Sequence, residues 1–141
     1  MKIKTTRFGE IEFPESDIIT FPDGILGFPR ENKYVFIDTN PDGLLKWLQS
    51  LNDPELAFVV CDPTIIDSEY LSKIKGCINN KIVVVIMCIP EDYTKMTANM
   101  KGPILIDKNT KEAEQIVLVD PEFDSHYKIF LKTEEERSDD S

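Results

Sequence analysis

The sequence predicts an all-β fold with a minor helical part, a small antiparallel β-barrel-like single domain carrying one or two short helices. Short β-rich runs follow one another along the 141 residues, with turn signals about every eight to twelve residues. Few segments have helical spacing, and a βαβ fold would need more helices of about ten or more residues. These observations together favour a β-sandwich or barrel over an α/β architecture.

Alternation of apolar and polar residues starts at the N-terminus and indicates the first strands. Ile3, Thr5 and Arg7 fall on one face of an extended chain, which predicts two short strands around a turn at residues 8–10. A run rich in β-branched residues, KIVVVIMCI at residues 81–89, predicts a buried strand that stops before a proline. Further strands are expected at residues 17–21, 34–38, 56–61, 95–100, 103–107, 113–119 and 127–131.

Two segments have apolar residues at helical spacing. Residues 68–75 are the best helix candidate, with Asp67 as the N-cap and Gly76 as the stop signal. Residues 44–51, LLKWLQSL, also have helical spacing. An apolar run this short fits a helix or a strand equally well, so its type stays open.

The chain length fits one domain, which we expect to span residues 1–131. The last ten residues, KTEEERSDDS at 132–141, hold five acidic and two basic residues and no apolar residue. Such a composition predicts an acidic, disordered, solvated tail. Because the tail carries −3 of the net −10, residues 1–131 still carry −7.

The negative charge restricts the class of partner. A net charge of −10 with a pI near 4.5 repels phosphate backbones and anionic lipid headgroups. We therefore expect no direct nucleic-acid binding and no membrane binding. An acidic surface instead attracts a basic protein and raises its association rate.

The cysteines and the N-terminus indicate a cytoplasmic protein. Cys61, Cys77 and Cys88 form no CxxC pair, and an odd number cannot all pair within one chain. The N-terminus, MKIKTTRFGEIEF, has no apolar core of a signal peptide. The longest apolar run, residues 82–90, is far shorter than the ~20 residues of a membrane-spanning helix.

No pattern for catalysis, cofactor binding or metal binding stands out. The one histidine, His126, follows Ser125, and adjacent residues on a strand point to opposite faces, which does not make a triad. Residues 38–43, DTNPDG, resemble the start of a calcium loop, but Gln49 stands where the loop needs glutamate. We expect no catalytic residue, no cofactor and no metal, which favours a binding protein.

One stretch is unusually apolar for a turn. FPDGILGF, residues 21–28, combines four large apolar residues with two glycines. We expect the two phenylalanines at its ends to tuck under the turn as core anchors, with the glycines supplying positive φ angles. Ile25 and Leu26 are expected at the exposed tip, where they are available to a partner.

Five blocks follow one another along the chain: MKIKT with GEI at residues 9–11, FPDGILGF, LQS at 48–50 with PELAFV at 54–59, DP at 62–63, and TANMKGPI at 97–104. In this order they resemble the FliW family, the bacterial flagellar assembly factors. The resemblance covers residues 1 to about 130 and departs mildly where the family usually has Asn-Leu-Lys/Gln-Ala-Pro-Ile and this chain has NMKGPI at 99–104. It also departs at Glu114, where the family often has a basic residue.

The resemblance implies a small β-barrel-like, non-enzymatic protein that works in the cytoplasm and is a monomer when free. FliW proteins bind flagellin, and they also bind CsrA, a basic RNA-binding repressor of flagellin mRNA translation. When flagellin is exported, freed FliW takes up CsrA and lifts the repression. Partner exchange is the implied mechanism.

The loop and the resemblance together indicate a set of partner-binding residues. Phe21, as a buried anchor, would support them. Two other classes of function stay open, a small enzyme with a deep acidic pocket and a β-barrel that binds single-stranded RNA. The expected partner-binding residues are Ile25, Leu26, Phe28, Asn99 and Lys101.

Overall fold

The computed structural model describes residues 1–39, 43–74 and 78–129, without the side chain of Tyr93. Within these residues the chain forms short strands, one α-helical turn, α1 (Tyr70–Lys73), and 3₁₀ turns at Glu15–Asp17, Pro63–Ile65 and Tyr93–Lys95. The strands are β1 (Lys2–Thr5), β2 (Gly9–Glu12), β3 (Ile19–Thr20), β4 (Lys33–Asp38), β5 (Leu45–Ser50), β6 (Ala57–Cys61), β7 (Lys81–Cys88), β8 (Thr97–Ala98), β9 (Ile104–Asp107), β10 (Ala113–Gln115) and β11 (Tyr127–Lys128).

These strands form one long curled sheet and a separate hairpin. The main sheet has the order β10-β9-β7-β6-β5-β4-β3, and every neighbouring pair is antiparallel. β8 lies between β7 and β11, while β1 pairs with β2 outside this sheet. The predicted all-β, barrel-like antiparallel fold is confirmed.

The two ends of the sheet approach each other without a continuous ladder. The N–H of Thr20 in β3 donates a 3.0 Å hydrogen bond to the carbonyl of Lys111, and a parallel bridge pairs Thr20 with Glu112 beside β10. The sheet therefore curls around its inner face like a barrel, although it is not fully closed.

Alternation along the strands separates two apolar clusters on opposite faces of the sheet. Val84 faces the interior, for example, and Val85 faces the outer cluster beneath α1. The interior cluster comprises Ile19, Phe21, Ile25, Tyr34, Leu48, Val60, Val84, Ile104, Ile106 and Ala113. The outer cluster comprises Cys61, Tyr70, Ile74, Val83, Val85, Ala98, Met100 and Leu105, with Ile116, Leu118 and Phe123 packed against it.

The segment whose type stayed open is strand β5. It pairs with β4 on one edge and with β6 on the other. Eight residues with helical spacing provide few internal hydrogen bonds, whereas two flanking strands satisfy nearly every backbone group. Pairing with neighbours thus decides the conformation here.

The predicted helix is shorter than expected, and its cap differs. Only Tyr70–Lys73 is helical, Glu69 occupies the N-cap position, and its side chain makes no capping bond. Asp67 accepts a 3.0 Å bond from the N–H of Glu69 in the turn before the helix instead. The predicted stop at Gly76 lies outside the described residues.

Several predicted strands are also shorter than expected, because a ladder forms only where a neighbouring backbone lies alongside. The predicted strand at 127–131 begins at Tyr127, and residues 130–131 and the predicted tail 132–141 lie outside the described residues. Residues 17–21 contribute only Ile19–Thr20, residues 95–100 only Thr97–Ala98, and residues 113–119 only Ala113–Gln115.

None of the helices in the described residues is long and apolar enough to cross a membrane.

Candidate partner-binding surface

The FPDGILGF loop is anchored in the interior cluster at its first residue. Phe21 is fully buried, and its ring meets the edge of Tyr34 with centroids 5.2 Å apart. The N–H of Phe21 donates to the carbonyl of Asn32, and the Asn32 side-chain amide donates back to the Phe21 carbonyl at 2.8 Å. The expectation that Phe21 is a core anchor is confirmed.

Gly24 is required by the path of the loop. Its φ is +70°, and a Cβ at this position would lie 2.5 Å from the carbonyl oxygen of Phe28 and 2.6 Å from Cα of Pro29. Both the positive φ and the close backbone approach exclude a side chain. The loop thus folds back tightly on itself.

A tight reverse turn forms the tip of the loop. The N–H of Phe28 donates a 2.7 Å bond to the carbonyl of Ile25, and Gly27 has a φ of +88°. A positive φ at the third position is typical of a type II turn, with Leu26 at the second position. The side chain of Leu26 is consequently 60% exposed.

The position expected for Ile25 is wrong. Ile25 belongs to the interior cluster and is 2% exposed. Because it begins the reverse turn rather than occupying its tip, its side chain points back under the loop. Leu26, and not Ile25, is therefore the exposed apolar residue of the turn, and Ile25 lies buried beneath it.

Phe28 is divided between the core and the surface. Its ring packs edge-on against Phe58, with centroids 5.4 Å apart, and the residue remains 39% exposed. The expected tucking under the turn is therefore incomplete. Phe28 offers part of an aromatic face beside the exposed Leu26.

A chain of hydrogen bonds joins this turn to the NMKGPI block. The N–H of Leu26 donates to Oε1 of Gln115 at 2.9 Å, and Nε2 of Gln115 donates to the carbonyl of Gly102 at 2.9 Å. The N–H of Gly102 donates to Oδ1 of Asn99, also at 2.9 Å. Leu26 and the 99–102 turn, distant in sequence, thus lie together in the structure.

Gly102 is closely packed within this network. A Cβ there would lie 2.8 Å from Nδ2 of Asn99 and 3.0 Å from Nε2 of Gln115. Either side-chain amide would have to shift to admit a methyl group. Lys101, which directly precedes this glycine, is half-buried.

Apolar side chains continue from the network along the segment after β10. The N–H groups of Ile116 and Leu118 donate to the carbonyls of Pro103 and Lys101, at 3.1 and 2.8 Å, and both side chains pack on the outer cluster. Val117, between them, points to the other face. We call the exposed residues Leu26, Val117 and Val119, together with the half-buried Gln115, the Leu26 strip.

Residues of the Leu26 strip beyond Leu26 itself were missed by the sequence prediction of partner-binding residues. Val117 is 53% exposed and Val119 is 93% exposed. The segment QIVLV is apolar at four consecutive positions, which predicts a buried strand and hides its exposed face. Only the alternation of Gln115 with the two valines could have indicated a common face.

Acidic residues flank the Leu26 strip. Glu114, Asp120 and Glu122 are exposed along the same segment, and Lys101 supplies a nearby positive charge. Glu122 also forms a 2.7 Å ion pair with Lys73 of α1. The surroundings of the strip are thus predominantly negative, in keeping with the charge of the whole chain.

Ser125 and His126 lie in a turn, not on a strand, so the expectation that they face apart is wrong. Oγ of Ser125 is 3.0 Å from Nδ1 of His126, and both residues are exposed. The carboxylate of Asp124 accepts a bond from the backbone N–H of His126. Since that carboxylate holds the backbone and not the imidazole, the three residues are not arranged as a triad.

The interior of the barrel opens at the end away from the loop. A cavity of about 430 Å³ lies there, lined by branched apolar side chains such as Val60 and Ile106. Lys46, Lys111, Asp17 and Asp62 are also part of its lining, so charges of both signs face it. Oδ1 of Asp62 caps the Pro63–Ile65 turn by accepting from the N–H of Thr64, which gives that carboxylate a structural role.

Comparison with known proteins identifies the family. The FliW protein family model matches residues 2–129. The chain belongs to the FliW family. A flagellar assembly factor FliW from Syntrophus aciditrophicus (strain SB) is 39% identical, with 95% of this chain and 90% of the relative covered. The corresponding protein of Ruminiclostridium cellulolyticum is 38% identical, with coverages of 87% and 90%.

A solved structure of the FliW family has the same architecture. The crystal structure of the flagellar assembly factor FliW superposes with a TM-score of 0.78 at 28% identity, covering 92% of this chain and 97% of the other. The resemblance seen in the sequence blocks is therefore confirmed. In this member of the FliW family, the loop block and the NMKGPI block meet through Gln115.

Proposed function

We propose that this FliW family member is a non-enzymatic cytoplasmic regulator of flagellar assembly. It binds flagellin and, alternately, the translational repressor CsrA, and by holding CsrA it relieves repression of flagellin mRNA translation. Relatives named flagellar assembly factors support the general role. The alternate binding of flagellin and CsrA is the mechanism that the family resemblance implies.

The observation that carries the proposal is an exposed apolar tip on a rigid base. Leu26 is 60% exposed, while Phe21 and Ile25 on the same loop are buried. A side chain held on an anchored turn loses little conformational freedom on binding, so a partner gains most of the free energy of burying it. Flagellin, whose helical termini bury an apolar surface on assembly, suits such a contact.

The negative charge of the chain supports binding of CsrA, the second partner. A net charge of −10 and the exposed acids Glu114 and Asp120 attract a basic protein such as CsrA. Complementary potentials act mainly on the association rate and are screened by salt. We therefore assign the apolar tip chiefly to the affinity for flagellin, and the acidic surface chiefly to the capture of CsrA.

A displacement experiment tests partner exchange directly. Flagellin is titrated into a preformed complex with CsrA, and free CsrA is followed by size-exclusion chromatography. Exchange predicts release of CsrA as flagellin is added. A stable complex containing all three proteins would contradict it.

A matched pair of variants tests the role of the tip. Leu26→Asp places a charge on the exposed tip, and we expect it to weaken flagellin binding by about tenfold or more. Ile65→Asp is the control, because Ile65 is also exposed, at 48%, but belongs to a different segment, the 3₁₀ turn at Pro63–Ile65. Equal loss in both variants, or in neither, measured by calorimetry on folded protein, would exclude the tip as the contact.

Reversing the acids tests the role of charge. The double variant Glu114→Lys with Asp120→Lys should lower the association rate of CsrA and flatten its dependence on salt. Stopped-flow measurements at two ionic strengths separate rate from affinity. An unchanged rate and salt dependence would exclude these acids from the capture of CsrA.

A gel shift at low salt tests RNA binding by the chain itself.

A further inference from the structure

Residues 115–119 present one bonded and one open backbone edge. Ile116 and Leu118 direct their N–H groups to the carbonyls of Pro103 and Lys101. In an extended chain, alternate residues direct their N–H and C=O groups to opposite edges. The backbone groups of Val117 therefore face away from the 101–103 segment.

This outward edge has no protein partner in the part of the chain that the structure describes. Neither the N–H nor the carbonyl of Val117 is bonded by another backbone or side-chain group there. Exposed strand edges with free donors and acceptors are the places where a further strand can pair. The side chains add to this, because those of Val117 and Val119 are also exposed.

The start of this backbone edge already lies against β3 and the loop after it, which limits the open part to the residues that follow. Thr20 of β3 bridges Glu112, and the loop that follows β3 contributes the bond from Leu26 to Gln115. The open part of the edge begins after Gln115, with the exposed side chain of Leu26 beside it. A strand added there would continue the line of β3 and would contact Leu26 at its side.

We propose that residues 115–119 bind an extended peptide segment of a partner protein by strand addition, and that this segment alternates basic and apolar residues. Its apolar side chains would lie on Val117, Val119 and Leu26. Its basic side chains would meet the exposed acids Glu114, Asp120 and Glu122. Hydrogen bonding to the open edge supplies affinity, and the side chains supply selection.

The charge pattern favours this occupant over a second copy of the chain. Antiparallel pairing of two such edges would bring Glu114 and Asp120 of both copies close together. Like charges facing each other across a strand pair are destabilising. The inference concerns how a partner is held, and it does not depend on that partner being flagellin or CsrA.

The experiment uses synthetic peptides and the full chain. The probe is a capped Lys-Val-Lys-Val-Lys-Val peptide at low ionic strength, titrated while the amide resonances of the protein are followed by NMR. We expect saturable binding, with shifts and slowed hydrogen exchange concentrated at Val117 and Val119. A Glu-Val-Glu-Val-Glu-Val peptide is expected to bind at least about tenfold more weakly because of its charge.

Backbone pairing is tested on both sides of the contact. The same Lys-Val peptide, N-methylated at alternate residues, keeps its charges and side chains but loses donors, and it should bind at least about tenfold more weakly. Val117→Pro removes the outward N–H without breaking a bond of the fold. It should weaken binding of the unmodified peptide to a similar extent, with the circular dichroism spectrum checking that it folds.

Each outcome decides the proposal. Tight binding of the N-methylated peptide by the natural chain would overturn it, whether or not Val117→Pro folds. Absence of saturable binding by the unmodified peptide, or protection at sites away from residues 115–119, would overturn it as well. Failure of the natural chain to bind flagellin or CsrA in separate assays would instead contradict the proposed function.

Discussion

The backbone N–H of Leu26 donates a 2.9 Å hydrogen bond to the side-chain oxygen of Gln115, a residue 89 positions further along the chain. The same amide group of Gln115 donates to the carbonyl of Gly102. One side chain thus holds the exposed tip of the loop against the turn that contains Lys101. The position of the proposed contact surface depends on this link.

Removing the link should lower stability moderately. Gln115→Ala leaves the N–H of Leu26 and the carbonyl of Gly102 without their partner, and we expect the free energy of unfolding to fall by about 1–2 kcal/mol. Gln115→Glu keeps an acceptor for Leu26 but sets a carboxylate against the Gly102 carbonyl, so it should not restore full stability. Urea denaturation monitored by Trp47 fluorescence measures both. Natural stability in the alanine variant would show that the two bonds contribute nothing.

Gly24 should tolerate substitution much less well than Gly9. Both have positive φ angles, +70° and +68°, but a Cβ at Gly24 meets backbone atoms within 3 Å whereas one at Gly9 meets nothing within 4 Å. Gly9→Ala should therefore cost about 1–2 kcal/mol from backbone strain alone. Gly24→Ala adds a steric clash and should cost clearly more. Equal midpoints in denaturant for the two variants would contradict the described path of the loop.

The ion pairs of Lys73 should give stability a specific dependence on pH. Hydrogen bonds from the ammonium group to Glu122 and Asp67, in that order, raise the pKa of Lys73. A side-chain bond from Lys73, aided by the backbone N–H of Glu69, lowers the pKa of Asp67 below its ordinary 3.8. The stabilisation linked to Asp67 is present above pH 3.8 and is lost as the pH falls through the lowered pKa.

At the alkaline end the sign is opposite. Because the pKa of Lys73 is raised above its ordinary 10.5, its stabilisation is present below that pH and is lost only at still higher pH. Lys73→Met should therefore lower the melting temperature most near neutral pH, and the difference should shrink in acid. Lys128→Met is the control on an exposed strand. A melting difference for Lys73→Met that stays constant down to pH 2 would contradict this assignment.

The two described cysteines should differ sharply in reactivity. Cys61 is buried, and burial, followed by the charge of Asp62, raises the pKa of its thiol to about 12. Cys88 is exposed. Since the thiolate is the reactive form, an alkylating reagent should modify Cys88 in the folded protein and reach Cys61 only after unfolding. Mass spectrometry of digested protein locates the label, and labelling of both at equal rates in the native state would be the contrary result.

Local pattern predicted most of the strands, because a period of two is a property of neighbouring residues. The alternation that starts at Ile3 corresponds to β1, and the β-branched run at 81–89 corresponds to β7. The turn after β1 lies at residues 6–8 and not at 8–10 as expected, because β2 already begins at Gly9. The two glycines of FPDGILGF indicated positive φ angles, and both have them. The five sequence blocks indicated the FliW family, and the comparison confirmed it.

Pattern was insufficient wherever a neighbour distant in sequence determines the outcome. Residues 45–50 form a strand because β4 and β6 flank them. Ile25 was expected at the exposed tip together with Leu26, but its burial depends on the curled sheet around it, and only Leu26 is exposed. His126 was placed on a strand, although its turn brings it against Ser125.

The sequence by itself determined the β-rich architecture, the negative charge, the tight glycine turns and the family, since each is encoded in composition or in short-range spacing. Only the tertiary structure decided which face of the loop is exposed and what lies beside it. Ile25 is buried, Leu26 is exposed, and Gln115 connects Leu26 to the 99–102 turn. The physical reason is that a side chain's burial and its hydrogen-bond partners are set by the packing of distant segments, which no local period records.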